Sequence, residues 1–96
     1  MTFKKGNTAD FQRIFERSKE AISDFEGCLY LELCRDTSHD NVYFTYSHWD
    51  SEKALDTYRK SPFFKSTWNE TRTFFAAKAE VYSVERVYSS EHNNDL

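Results

Sequence analysis

The chain has 96 residues and a formal net charge of -3, with acidic and basic side chains interspersed. That is one domain's worth of polypeptide, and it lacks the basic footprint that nucleic acid or an anionic membrane surface selects. Aromatic residues make up 18% of it, more than a core of this size requires, so they are expected to line a cavity or cover a subunit interface. No apolar run resembles a signal peptide or approaches a bilayer span, which makes the cytoplasm the default location.

Met1 to Lys5 reads as a short strand ended by Gly6-Asn7, and Asn7 or Thr8 is placed to cap the helix that follows. Phe11, Ile14, Phe15, Ile22 and Phe25 recur at the spacing of one helical face, with Arg13, Glu16, Arg17, Lys19 and Glu20 on the other. Glu26-Gly27 ends this amphipathic helix, the glycine being suited to the left-handed turn past a helix C-terminus. Cys28 to Arg35 then alternates, with Leu29, Leu31 and Leu33 on the core side and Cys28, Tyr30, Glu32 and Cys34 on a mixed side. On one strand the two cysteines stand about 20 Å apart at ~3.3 Å per residue. A disulfide needs Cα atoms within about 7 Å, so they are read as small buried hydrophobes in a reducing compartment.

The polar stretch Asp36 to Asn41 makes a hairpin into Val42 to Trp49, a run of β-branched and aromatic residues without Gly or Pro. Tyr43, Thr45, Ser47 and Trp49 oppose Val42, Phe44, Tyr46 and His48, and both faces are expected to be covered. Asp50 and Ser51 offer caps for a helix that runs to about Lys60. Ser61-Pro62 breaks it and starts a longer one carrying Phe64, Trp68, Thr71, Arg72 and Phe75, with Ser61 as its N-cap. Ala79 to Tyr88 alternates Val81, Ser83, Glu85 and Val87 with Tyr82, Val84, Arg86 and Tyr88, the pattern of a last strand. Residues 89–96 form a polar tail to a domain spanning 1–88.

The order β-α-β-β-α-β is the ferredoxin-like arrangement, an α+β fold with a four-stranded antiparallel sheet and helices on one face. Its open sheet face needs a cover, and a second copy of the chain in a symmetric homodimer is the simplest one. Metal ligation is not expected: His39 lies in the hairpin loop, His92 in the tail and His48 opposite Trp49, none with ligand spacing. Two glycines leave no phosphate-cradling loop, and the Asn69-Glu70-Thr71 sequon is read as chance.

Several stretches in this order are similar to the antibiotic biosynthesis monooxygenase family. They are the Phe11, Phe15 and Ile22 helix, Gly27-Cys28-Leu29, Arg35-Asp36, Trp49-Asp50-Ser51-Glu52, Ala54-Leu55 with Tyr58, and Ser61-Pro62-Phe63-Phe64-Lys65. The resemblance runs from Phe3 to Val87. It implies a homodimeric α+β barrel, each protomer enclosing an apolar cavity between sheet and helices. Members include cofactor-independent oxygenases of anthrone-type polyketides and quinols, haem-degrading enzymes and a signal-molecule isomerase, so the fold leaves the chemistry open.

Carried over residue by residue, Trp49 stands where the anthrone oxygenases have an active-site Trp. Thr45 stands where they have an Asn and Leu55 where they have a Tyr. The haem-degrading pattern of a first-strand Asn, a helical Trp and a late His meets Asn7 after the strand, Tyr58 and Trp68, which argues against haem. The enzyme reading expects no cofactor and no metal. It assigns catalysis to Trp49 with Tyr58, Thr45 or Arg72 as polar anchor, and the walls to Tyr43, Tyr46, Phe64 and Trp68 around a small apolar or aromatic molecule. The competing reading is a ligand-binding or structural dimer in which these aromatics are simply core.

Overall fold

The computed structural model describes residues 1–90. Thr2–Phe3 forms β1, and a short 3-10 turn over Lys5–Asn7 leads into helix α1, Thr8–Ser23. Asn7 takes the N-cap position, but its side chain donates to Asp10 Oδ2 at 2.8 Å instead of capping a backbone N–H. Phe11 and Ile14 lie on the buried stripe of α1 together with Ser18. Gly27 follows at φ 89°, the left-handed conformation that glycine adopts without strain.

Strands β2, Cys28–Arg35, and β3, Tyr43–Trp49, form the antiparallel hairpin. Their register pairs Tyr30 with His48, Glu32 with Tyr46 and Cys34 with Phe44, and shifts between Cys28 and Tyr30. The shift gives β2 one extra residue opposite β3 and takes Leu29 out of the Leu31 and Leu33 row. Leu29 is accordingly 68% exposed, where alternation alone had placed it in the core.

Helices α2, Glu52–Arg59, and α3, Pro62–Arg72, start as their sequences dictate. Ser51 Oγ accepts from the Ala54 N–H at 3.0 Å and Ser61 Oγ from the Phe64 N–H at 3.1 Å, with Pro62 in the first turn of α3. Phe75, expected on this last helix, begins strand β4, Phe75–Ala77, because α3 ends at Arg72.

The fold is α+β with antiparallel pairing, as the element order predicts. β1 pairs with β4, and β2 with β3. The two pairs meet where Thr2 bridges Val42 and the Tyr43 N–H donates to the Met1 carbonyl at 2.9 Å. The spatial order β4-β1-β3-β2 results. The core sits between this seam and α1: Phe3 is fully buried and stacks on Phe11 at 4.3 Å, with Tyr43 edge-on to Phe3 at 5.9 Å.

The last strand is a correction. The expected strand over Ala79 to Tyr88 does not form, and β4 lies upstream of it, at Phe75–Ala77. β1 supplies only Thr2 and Phe3, so the ladder ends at Thr2 opposite Ala77 and 78–88 has no neighbour to pair with. Of the polar tail, residues 91–96 and with them His92 lie outside the described residues.

Candidate functional site

An unbroken run of ring contacts follows the helix side of the sheet. Phe25 lies 5.1 Å from Tyr58, which stacks on Trp49 at 4.9 Å and meets Phe64 edge-on at 5.0 Å. Phe64 stacks on Trp68 at 6.0 Å, Trp68 meets Phe75 at 5.5 Å, and Phe75 reaches the core at Phe3. The β3 row that begins at Tyr43 and ends at Trp49 thus has rings packed at both ends. Thr45 and Ser47, between them on that row, remain exposed. These two exposed hydroxyl side chains stand between Tyr43, 5.1 Å from Phe11, at one end of the row and Trp49, stacked on Tyr58, at the other.

Trp49 is fixed in two ways. Its ring stacks on Tyr58, and its Nε1–H donates to Ser47 Oγ at 3.0 Å along the same strand row. Tyr58 is 8% exposed, and burial, with a smaller contribution from Cys28, pushes its phenol up to about 12. Among the described residues its hydroxyl takes no hydrogen bond, and no fully sealed polar side-chain atom lacks a partner. A buried ring thus places a phenol that stays neutral at physiological pH beside the Trp49 indole. Such a group stabilises a developing oxyanion and is a poor base at neutral pH.

The sequence model of the antibiotic biosynthesis monooxygenase family matches residues 1–70. The chain belongs to this family. Among solved structures, the fold is similar to a candidate antibiotic biosynthesis monooxygenase of Caulobacter crescentus CB15, with TM-score 0.74 and 20% identity over 81% of this chain and 74% of that one. It is likewise similar to a Mycobacterium tuberculosis protein, with TM-score 0.84 and 12% identity over 94% and 91% of the two chains. A conserved protein of Methanosarcina mazei Go1 gives TM-score 0.78 and 18% identity over 82% and 78%. No curated protein matches the chain.

Against the family pattern, the structure sorts the expected site residues. It brings Trp49, Tyr58, Phe64 and Trp68 into one contact series and leaves Thr45 exposed on the Trp49 row of β3. Leu55 is one helical turn before Tyr58 on the same face of α2.

Three expected residues fall elsewhere. Tyr43 is 3% exposed and its hydroxyl accepts from Gln12 Nε2 at 2.8 Å, which makes it core. Tyr46 is on the opposite sheet face, 4.8 Å from His48 and 6.4 Å from Tyr30, because alternation separates it from Trp49. Arg72 is exposed at the end of α3, where the buried position of that turn belongs to Thr71, 5% exposed.

Sequence reasoning missed Ser47 as the Trp49 anchor, Phe25 behind Tyr58 and Gln12 on Tyr43. Ser47 was in principle visible, since it shares the Trp49 row. The Phe25 and Gln12 contacts arise from tertiary packing and leave no local signal. Among the described residues no helix is long and apolar enough to cross a membrane, and no three His, Cys, Asp or Glu side chains gather as a metal cage.

Proposed function

We propose that the chain is a cofactor-independent monooxygenase acting on a small aromatic, quinol or polyketide-like substrate held beside Trp49. The observation that carries this reading is the Tyr58 phenol, its pKa pushed up to about 12 by burial, at a stacked Trp-Tyr corner.

In this mechanism a substrate ring lies along the Trp49 indole, with Phe64 and Trp68 as the far wall and Thr45 as a second polar contact. Tyr58 donates to the substrate oxygen, which lowers the cost of losing a proton to water from a carbon conjugated with that oxygen. The resulting carbanion reduces dioxygen. For a methylene flanked by aromatic rings the balance is one CH2 and one O2 giving one C=O and one H2O. The carbon loses four electrons and the two oxygen atoms gain them.

Two further assignments accompany it. The chain works as a homodimer joined through the open sheet face, where Tyr30, Phe44 and Tyr46 are 48%, 53% and 45% exposed. It works in the cytoplasm, consistent with its two free cysteines.

Oxygen uptake above the autoxidation rate, measured against a panel of anthrones and hydroquinones, tests the activity. Tyr58→Phe is expected to cut kcat by about a hundredfold, the usual loss for one oxyanion donor. Trp49→Phe is expected mainly to raise KM.

The second reading is a ligand-binding or structural dimer without chemistry, haem binding being its weakest form. It draws support from Tyr43, whose hydroxyl is tied to Gln12. No uptake from a folded protein whose Trp fluorescence still responds to the same compounds would establish that reading instead.

A further inference from the structure

We propose that Ser47, and not the Trp49 indole N–H, is the hydrogen-bond donor that meets a substrate oxygen at the edge of the Trp49 ring. Trp49 Nε1–H donates to Ser47 Oγ at 3.0 Å, along the same β3 row. An indole nitrogen is a donor and never an acceptor, so this bond runs in one direction only. The indole proton is therefore already committed within the strand, and a ligand has to find another donor.

Ser47 supplies it. A serine hydroxyl carries two acceptor lone pairs and one proton of its own. The indole takes one lone pair, and among the described residues no acceptor takes the proton. Accepting from the indole also polarises the O–H bond, which strengthens it as a donor by about 10–30% through the cooperativity of linked hydrogen bonds. Ser47 is exposed, so in the free protein that proton is left to water.

The neighbours set what the hydroxyl can meet. Trp49 stacks on Tyr58 at 4.9 Å on one side, and across the ladder Ser47 pairs with half-buried Leu31. A polarised donor between an indole and a leucine suits an oxygen carried on an otherwise apolar ring, which is the chemistry of an aromatic ketone, a quinone or a phenolate. Thr45 stands about 6.6 Å further along the row at ~3.3 Å per residue. Among the described residues its hydroxyl has no partner to orient it. Of the two exposed hydroxyls on this row, only that of Ser47 is directed.

The inference rests on the reading that an aromatic molecule lies beside Trp49, and it holds whether or not that molecule is oxidised. Binding is therefore measured apart from turnover, with anthraquinone-2-sulfonate, which carries ring carbonyls, and anthracene-2-sulfonate, which carries none. NMR titration of the full chain follows both probes and the Trp49 indole N–H together. Ser47→Ala is expected to weaken the quinone about five- to tenfold, the usual loss for one neutral hydrogen bond, and to leave the anthracene affinity unchanged. Its Trp49 indole N–H resonance should move upfield and exchange faster with solvent, while Ser47→Thr, which keeps the hydroxyl, restores both the resonance and the quinone affinity.

A residue that merely packs would weaken both probes alike, and that result overturns the proposal. An unchanged quinone affinity in Ser47→Ala, or a parent protein that binds neither probe, overturns it as well. Loss of quinone selectivity in Ser47→Ala from a protein that takes up no oxygen with any anthrone or hydroquinone would sink the monooxygenase reading and leave the role of Ser47 standing.

Discussion

Gly27 and Tyr58 show how far single residues govern the corner between α1, β2 and α2. Gly27 holds φ 89°, and a Cβ there would overlap Ala54 and lie 3.0 Å from Asp50 Oδ1. Gly27→Ala combines a left-handed backbone with a collision against the first turn of α2, and is expected to cost about 2–4 kcal/mol, read as a lower urea midpoint at unchanged slope. The turn was legible in sequence, since a glycine just past an amphipathic helix has one common use.

Tyr58 was legible as a nearby phenol and not as a group of altered acidity, because burial by Phe25 and Trp49 is a tertiary fact. Its ordinary value near 10 is raised to about 12, so between those pH values the unfolded chain releases a proton that the folded chain retains. Stability is therefore full below pH 10 and falls as pH rises toward 12, by about 2 kcal/mol from this residue. Tyr30 and Tyr82 are also raised, through Glu32 and Glu80, so the test is a difference. Subtracting the ultraviolet titration of Tyr58→Phe from that of the parent should leave one phenol ionising near pH 12. A difference curve centred near 10 would mean that the ring is not buried as described.

Among elements, the helices and the hairpin were legible where local chemistry decides them. Ser61 accepts the Phe64 N–H and is followed by Pro62, a start signal contained in four residues, and Ser61→Ala is expected to cost about 1 kcal/mol. Thermal melts of Ser61→Ala and Ser61→Asp check this, the aspartate restoring stability as a capping acceptor and the alanine not. The hairpin register followed from alternation except at Leu29, where an extra β2 residue opposite Trp49 and His48 turned one leucine outward.

The last strand was misplaced for a different reason. Propensity reports whether a segment wants a pleated neighbour, and only the fold decides whether one is in reach. Phe75–Ala77 has β1 beside it and pairs, whereas the better strand sequence at 79–88 extends past the ladder. The same limit applies to the candidate site. Alternation assigned Thr45, Ser47 and Trp49 to one row, while the exclusion of Tyr43 into the core depends on Phe3 and Phe11 arriving from elsewhere in the chain.

For the whole molecule, surface electrostatics contribute little. Arg17 to Glu70 joins α1 to α3, but both side chains are about half exposed or more, at 63% and 47%, and such pairs are worth about 0–1 kcal/mol. The exposed apolar rings of the sheet face weigh more. If the open sheet face is the subunit contact, Phe44 and Tyr46 lie at its centre, and the twofold makes each substitution count twice. Losing about 100 Å2 of apolar contact per ring at about 25 cal/mol per Å2 removes about 2.5 kcal/mol, twice over in the dimer.

Phe44→Asp or Tyr46→Asp is thus expected to weaken self-association by at least a hundredfold and to yield monomer in sedimentation at micromolar concentration. Its melting temperature should lose the concentration dependence that a folding-linked dimer shows. Glu20→Lys, on the exposed side of α1, should leave both quantities unchanged. Because Tyr46 and Trp49 occupy opposite faces, oxygen uptake by the Tyr46→Asp monomer also separates the two roles. Retained turnover would mean that one protomer carries a complete site, and lost turnover with an intact fold would mean that the site needs the second copy.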